Sequence, residues 1–161
     1  MTLIEYARLL ISDKDPTNQI FSDEELQELI KQNSQVGIAE AQPLDLDRKL
    51  WKVPFVHIDD SYTPRIVIAD GSSIEDIEAS VDFETGQITF ENPIPQGYRV
   101  FMEAKYVDWD NFRADAYETI AGDYRKLNSF SIQNASEQLD DTKAHLLRLA
   151  RMYRSARGAE L

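Results

Sequence analysis

Val81-Asp82-Phe83-Glu84-Thr85-Gly86-Gln87-Ile88-Thr89-Phe90-Glu91-Asn92 is the stretch whose reading decides the fold. Val81 and Phe83 alternate with polar residues before Thr85-Gly86, and Ile88 and Phe90 do so after it. Period two on both sides of a Gly-containing turn predicts a β-hairpin turning at Glu84 to Gly86. The same period extends outward. Trp51, Val53, Phe55 and His57 alternate with Lys52, Pro54, Val56 and Ile58, and Pro54 points to an edge. Arg65 to Ala69 reads as a short strand ended by Asp70-Gly71, and Pro93, Pro95 and Gly97 as a further turn. Val100, Met102, Ala104 and Tyr106 share one face of a long strand. Residues 50–107 thus predict a small antiparallel sheet.

Beyond this region the period is helical. Thr2 to Ile11 places Leu3, Ile4, Ala7, Leu10 and Ile11 on one side of a short helix, and the Asp13–Asn18 stretch with Pro16 breaks it. Phe21-Ser22-Asp23-Glu24-Glu25-Leu26 is a helix start, with Ser22 and Glu25 as a capping box and Phe21 stapled to Leu26. Gln35 to Asp47 reads as loop. Asp108 caps a central helix reaching about Leu127, with Phe112, Ala116, Ile120 and Tyr124 on its main face. Ala114, Tyr117 and Ala121 widen that arc, as expected of a sandwiched helix. Arg113 lies inside the arc, as a snorkelling side chain or half of a buried or inter-subunit ion pair. Asn128 to Ala135 reads as a polar connector, and Ser136 opens a last helix striped by Leu139, Leu146, Leu149, Ala150 and Tyr153. That stripe runs into Arg154 and Arg157 before Gly158. The predicted fold is α+β. A helical bundle (two N-terminal helices, a long central helix and a C-terminal helix) carries the inserted small sheet in one domain over 1–161. Its parts are 1–49, 50–107 and 108–161.

The 161 residues suffice for one core, and 42% apolar with 10% aromatic content excludes wholesale disorder. No window has the apolar length of a membrane span, and Met1-Thr2-Leu3-Ile4-Glu5 lacks the charged and apolar regions of a signal peptide, so a soluble chain is expected without a membrane partner. The net charge of −12 is uneven. Between Val56 and Asn92 only Arg65 is basic, whereas Lys143, Arg148, Arg151, Arg154 and Arg157 crowd the last helix. An acidic body argues against nonspecific DNA binding, and it suits repulsion of passing DNA or attraction of a basic partner. Basic residues at a helix C-terminus are also ordinary dipole chemistry, and acidity also serves solubility.

Catalytic signatures are missing. The sequence has no cysteine, no phosphate-binding glycine motif, no H-E-x-x-H and no G-x-S-x-G. His57 and His145 fall on different elements, and neither Asp59-Asp60 nor Asp108-x-Asp110 has the ligand count of a calcium loop. No catalytic residue, metal site or cofactor is expected.

Several of these stretches, in order, resemble one family. They are the short first helix, Phe21 to Leu26, the insertion carrying Val81 to Phe90, and Val107-Asp108 opening an Ala-containing helix. Ser129-Phe130-Ser131 and Leu149-Ala150-Arg151-Met152-Tyr153-Arg154 follow. The chain resembles the head–tail connector (adaptor) proteins of tailed double-stranded DNA phages over most of its length. The resemblance implies a non-enzymatic virion protein of the neck, made in the host cytoplasm. It implies a ring, generally dodecameric, beneath the portal, joined to the next neck or tail component, with DNA passing through without specific binding. It further implies portal docking through Arg148, Arg151, Met152, Tyr153, Arg154 and Arg157, and subunit packing through Phe112, Arg113, Tyr117 and Tyr124. Asp59, Asp60, Asp70, Glu75, Asp76 and Glu84 would line the lumen or face the neck. The Asp59–Glu78 segment is longer and more acidic than a minimal member's. Two competing expectations are an acidic inhibitor or DNA mimic bound to a basic partner, and a tail terminator or other neck protein.

Overall fold

The computed structural model describes residues 1–133 and 139–160, with the backbone alone at 139 and 156–160. The described residues form five α-helices and a seven-stranded antiparallel sheet, and they divide into two compact units. One comprises residues 1–33 and 108–161, the other residues 34–107.

The helical unit opens with α1 (Leu3–Leu10) and α2 (Asp23–Gln32), each started by a complete capping box, Thr2 with Glu5 and Ser22 with Glu25. Each cap supplies side-chain partners for backbone N–H groups that have no acceptor inside the helix. Between them the fully buried Asp13 carboxylate organises the turn. It accepts from Ile20 N at 2.8 Å and Phe21 N at 3.1 Å, and pairs with Arg8 at 2.6 Å. Phe21 and Leu26 are buried as the staple requires. Asp108 caps α3 (Trp109–Gly122) by accepting from Asn111 N at 3.0 Å, and its own N–H donates to the Asn33 carbonyl at 2.8 Å. The expected single central helix is two. Asp123 is extended at φ −119, ψ 114, and its side chain accepts from Arg125 N and Lys126 N to start α4 (Tyr124–Gln133). Gly122-Asp123 is thus a stop followed by a cap, hidden in sequence because Leu127, Phe130 and Ser131 continue a buried face. The expected connector over 128–135 is therefore helical as far as Gln133, and Ser136 lies outside the described residues. α5 (Leu139–Glu160) closes the unit.

The sheet unit overturns the expected small insertion in a helical bundle. Its strands β1 (Ser34–Pro43), β2 (Leu50–Lys52), β3 (Arg65–Ala69), β4 (Ile74–Asp76), β5 (Ser80–Asp82), β6 (Gln87–Thr89) and β7 (Arg99–Val107) lie in the order β4-β3-β7-β1-β2-β6-β5. The largest difference is β1, read from sequence as loop. It pairs with β7 from Ser34↔Val107 to Ala41↔Val100. Its inward residues are the small Ala39 and Ala41, while Val36 and Ile38 face solvent, so the apolar alternation that marks a strand is inverted. The 81–92 stretch does form its hairpin, β5 with β6. β4 and β5 occupy opposite ends of the strand order, yet only residues 77–79 connect them. So short a link spans at most about 14 Å, which requires the sheet to curl until its two edges approach. Inside the curl pack Trp51, Val53, Ile58, Ile66, Ile68, Ile88, Phe90, Val100, Met102 and Tyr106. After β2 the expected alternation to Ile58 is irregular backbone clasping the β5–β6 turn. Val53 N donates to the Gly86 carbonyl and His57 N to that of Glu84, at 3.0 and 2.9 Å. Gly86, at φ +75, is obligatory because a Cβ would be driven into the Phe55 carbonyl oxygen.

Candidate docking surface

α5 carries the residues expected to dock, and its two sides differ. Thr142, Leu146 and Ala150 recur every four residues and are buried, with Leu149 and Tyr153 half-buried beside them. This side is fastened to α3. The Arg154 guanidinium donates to Asn111 Oδ1 at 2.7 Å, to Asp115 Oδ1 at 2.6 Å and to both carboxylate oxygens of Glu118 at 3.1 and 2.9 Å. The Glu118 and Asp115 carboxylates raise its pKa further above the usual arginine range. Arg113 Nη1 donates to the Tyr153 hydroxyl at 2.9 Å, and the Arg113 guanidinium lies 4.9 Å over the Tyr153 ring. The Tyr117 ring lies 6.1 Å from that of Tyr153, and burial raises the Tyr117 phenol's pKa.

Four of the expected docking and packing residues, Arg113, Tyr117, Tyr153 and Arg154, therefore engage one another or α3 within the unit. Phe112 is fully buried and Tyr124 is 72% exposed, so the two do not share a surface. Arg113 fits neither expected alternative as stated: its head stacks on the Tyr153 ring with no carboxylate partner among the described residues, and its Nε is buried without a hydrogen-bond partner there. The opposite side of α5 carries Arg148, Arg151, Met152 and Ser155 at i, i+3, i+4 and i+7, all exposed. It is a ridge of two cations and a thioether. Arg157 lies outside the described side chains.

The six acidic residues are dispersed over the sheet unit. Asp70, Glu75 and Asp76 belong to the β3–β4 hairpin, Glu84 to the β5–β6 turn, and Asp59 and Asp60 to the segment beside β7. Asp60, Glu75, Asp76 and Glu84 are exposed. Asp76 is paired with Arg65 at 2.9 Å and Asp59 with Lys105 at 3.4 Å. Partial burial raises the Asp59 pKa, but hydrogen bonds from Ser61 and the Lys105 charge outweigh this and hold it below the usual range. Asp70 accepts from Ser72 N and Ser73 N at 2.8 and 2.7 Å, which lowers its pKa to about 2. His57 is half-buried in a positive-φ conformation, and burial lowers its pKa despite the nearby Glu84. His145 is exposed on α5. Among the described residues no three histidines or carboxylates converge as metal ligands, and no helix is long and apolar enough to cross a membrane.

One feature escaped sequence reading. The outward face of β4-β3-β7-β1 holds a groove of about 270 Å³ lined by Ile38, Val67, Ala69, Ile74 and Phe101, with Arg65 and Glu103 at its margin. Registers Ile38↔Glu103↔Arg65 and Val67↔Phe101 place these side chains on one face. The signal was present in Val36 and Ile38, but it becomes legible only once β1 is known to be a strand.

Comparison with known proteins returns no match: no family model, no curated protein sequence and no solved structure matches this chain.

Proposed function

We propose that this chain is a structural neck protein of the head–tail connector kind, a ring subunit of the virion that docks on a portal and holds the next neck or tail component. The observation that carries the proposal is the two-sided α5. One side is bolted to α3 through Arg154 and Tyr153, and the other presents Arg148, Arg151 and Met152 outward from a chain of net charge −12. A rigid, locally cationic ridge on an otherwise acidic protein suits an acidic protein groove, and arginine is a frequent anchor at interfaces. Ring symmetry multiplies a weak contact at each subunit into firm attachment. The exposed Asp60, Glu75, Asp76 and Glu84 would repel DNA in transit if turned to the lumen. The proposed role is non-catalytic.

The test is made in the source genome. Particles produced with the gene inactivated should appear by electron microscopy as separate tails and tailless heads. An Arg148→Glu, Arg151→Glu pair should reproduce that picture although the purified variant folds normally. Intact joined virions in either case would overturn the reading and favour an acidic inhibitor.

A further inference from the structure

The sheet unit carries an apolar projection as well as an apolar groove. The loop joining β1 to β2 exposes Leu46 completely and Leu44 by 49%. It is not a slack loop. Asp45 Oδ1 accepts from Lys49 N at 3.1 Å and Leu50 N at 3.2 Å, and Leu44 N donates to the Leu50 carbonyl at 2.7 Å. At its base Arg48, with φ 58, donates to the Ile94 and Tyr98 carbonyls at 2.9 and 3.0 Å and lies 4.8 Å over the Trp51 ring. Two leucines are therefore held in water on a preorganised turn, which lowers the ordering cost of inserting them elsewhere.

The groove has matching properties. Ile38 and Ile74 are 68% and 75% exposed there, so the groove presents apolar side chains to solvent. Its volume exceeds one leucine side chain. The loop that carries Leu44 leads from β1 to β2, on the side of β1 away from β7, β3 and β4, so it runs away from the groove of its own molecule. Charge agrees as well. The loop exposes Asp47 and Lys49, and the groove margin likewise carries one charge of each sign, Arg65, which is bridged to Asp76 at the surface, and Glu103.

We propose that the Leu44–Leu46 projection of one copy seats in the Ile38–Val67–Ile74–Phe101 groove of a second copy. Projection and groove are different surfaces, so the contact is head-to-tail, and its repetition closes a ring or extends a filament. The inference deepens the ring element of the proposed function but requires only the purified chain, so either can fail alone.

Because the sequence has no cysteine, engineered thiols report this contact cleanly. Analytical ultracentrifugation should show wild-type protein larger than a monomer at its highest concentration. Leu46→Asp and Ile74→Asp should each weaken association about tenfold or more, the factor expected from losing one buried apolar side chain. Mixed together, the two variants should form a one-to-one pair, since one retains the groove and the other the projection. Leu46→Cys mixed with Ile74→Cys should form a disulfide faster than Leu46→Cys mixed with a thiol at exposed Thr119. Wild type that stays monomeric throughout would overturn the proposal, as would variants that associate normally, a mixture that forms no pair, or thiols that react at the control rate.

Discussion

At the scale of single residues, Asp13 and Asp70 are two carboxylates with opposite relations to water. Asp13 is sealed in, and its oxygens satisfy two backbone N–H groups and the mostly buried Arg8. Asp13→Ala would leave all three with a lost partner, and loss of one side of a buried pair costs about 3 kcal/mol or more. Thermal unfolding should show that loss, while Lys14→Ala at the exposed neighbouring position should change little. Asp70 sits at the surface, held ionised by the backbone N–H groups of Ser72 and Ser73. Its folded pKa of about 2 lies below the ordinary aspartate value near 4. A depressed carboxyl stabilises the fold above its unfolded pKa and loses that contribution as pH falls through the folded one. The β3–β4 turn should therefore loosen between about pH 4 and pH 2, and the Asp70 carboxyl should titrate in NMR with a midpoint near 2. A midpoint near 4 would mean the Ser72 and Ser73 bonds do not hold in solution.

At the scale of elements, α5 divides its arginines by task. Arg154 bridges Asn111, Asp115 and Glu118, and such a network at a half-exposed site contributes about 1–2 kcal/mol. Arg154→Ala should lower stability by that amount, with less effect at high salt. Arg148→Ala and Arg151→Ala touch no described packing and should stay within about 0.5 kcal/mol of wild type. Equal losses at all three positions, read by urea unfolding, would contradict this division. The elements also differ in how far sequence disclosed them. Ser22 with Glu25 and Thr85-Gly86 were legible because their partners lie within a few residues. β1 was not, because only its pairing along β7, far away in sequence, makes a strand of small inward alanines. The α5 stripe was readable from Leu146 to Tyr153, but that Arg154 turns back onto α3 depends on acids about forty residues earlier. Helical spacing shows which residues share a side, and it cannot show what opposes them.

At the scale of the whole molecule, the sheet unit has the connectivity of an insertion. Its first and last residues are paired, Ser34 with Val107, and it encloses its own apolar core. In the helical unit the cut ends also meet. Asp108 N donates to the Asn33 carbonyl at 2.8 Å, and the Asn33 side chain reaches Asp115 at 2.9 Å and also accepts from Asn111. A unit with adjacent ends and a separate core can be excised without breaking what remains. Residues 34–107 alone should give a dispersed NMR spectrum. Residues 1–33 joined to 108–161 through a short Gly-Ser turn should retain the helical circular dichroism of the parent. If either piece is unfolded, the two cores depend on each other and the insertion description fails. The excision also separates the two proposed interactions. Docking assigned to α5 should survive in the helical piece, because Arg148, Arg151 and Met152 remain with α3 behind them. Self-association assigned to Leu46 and the groove should disappear from the helical piece and persist in the sheet piece. A helical piece that still self-associates would place the subunit contact among the helices, where the connector resemblance alone would put it.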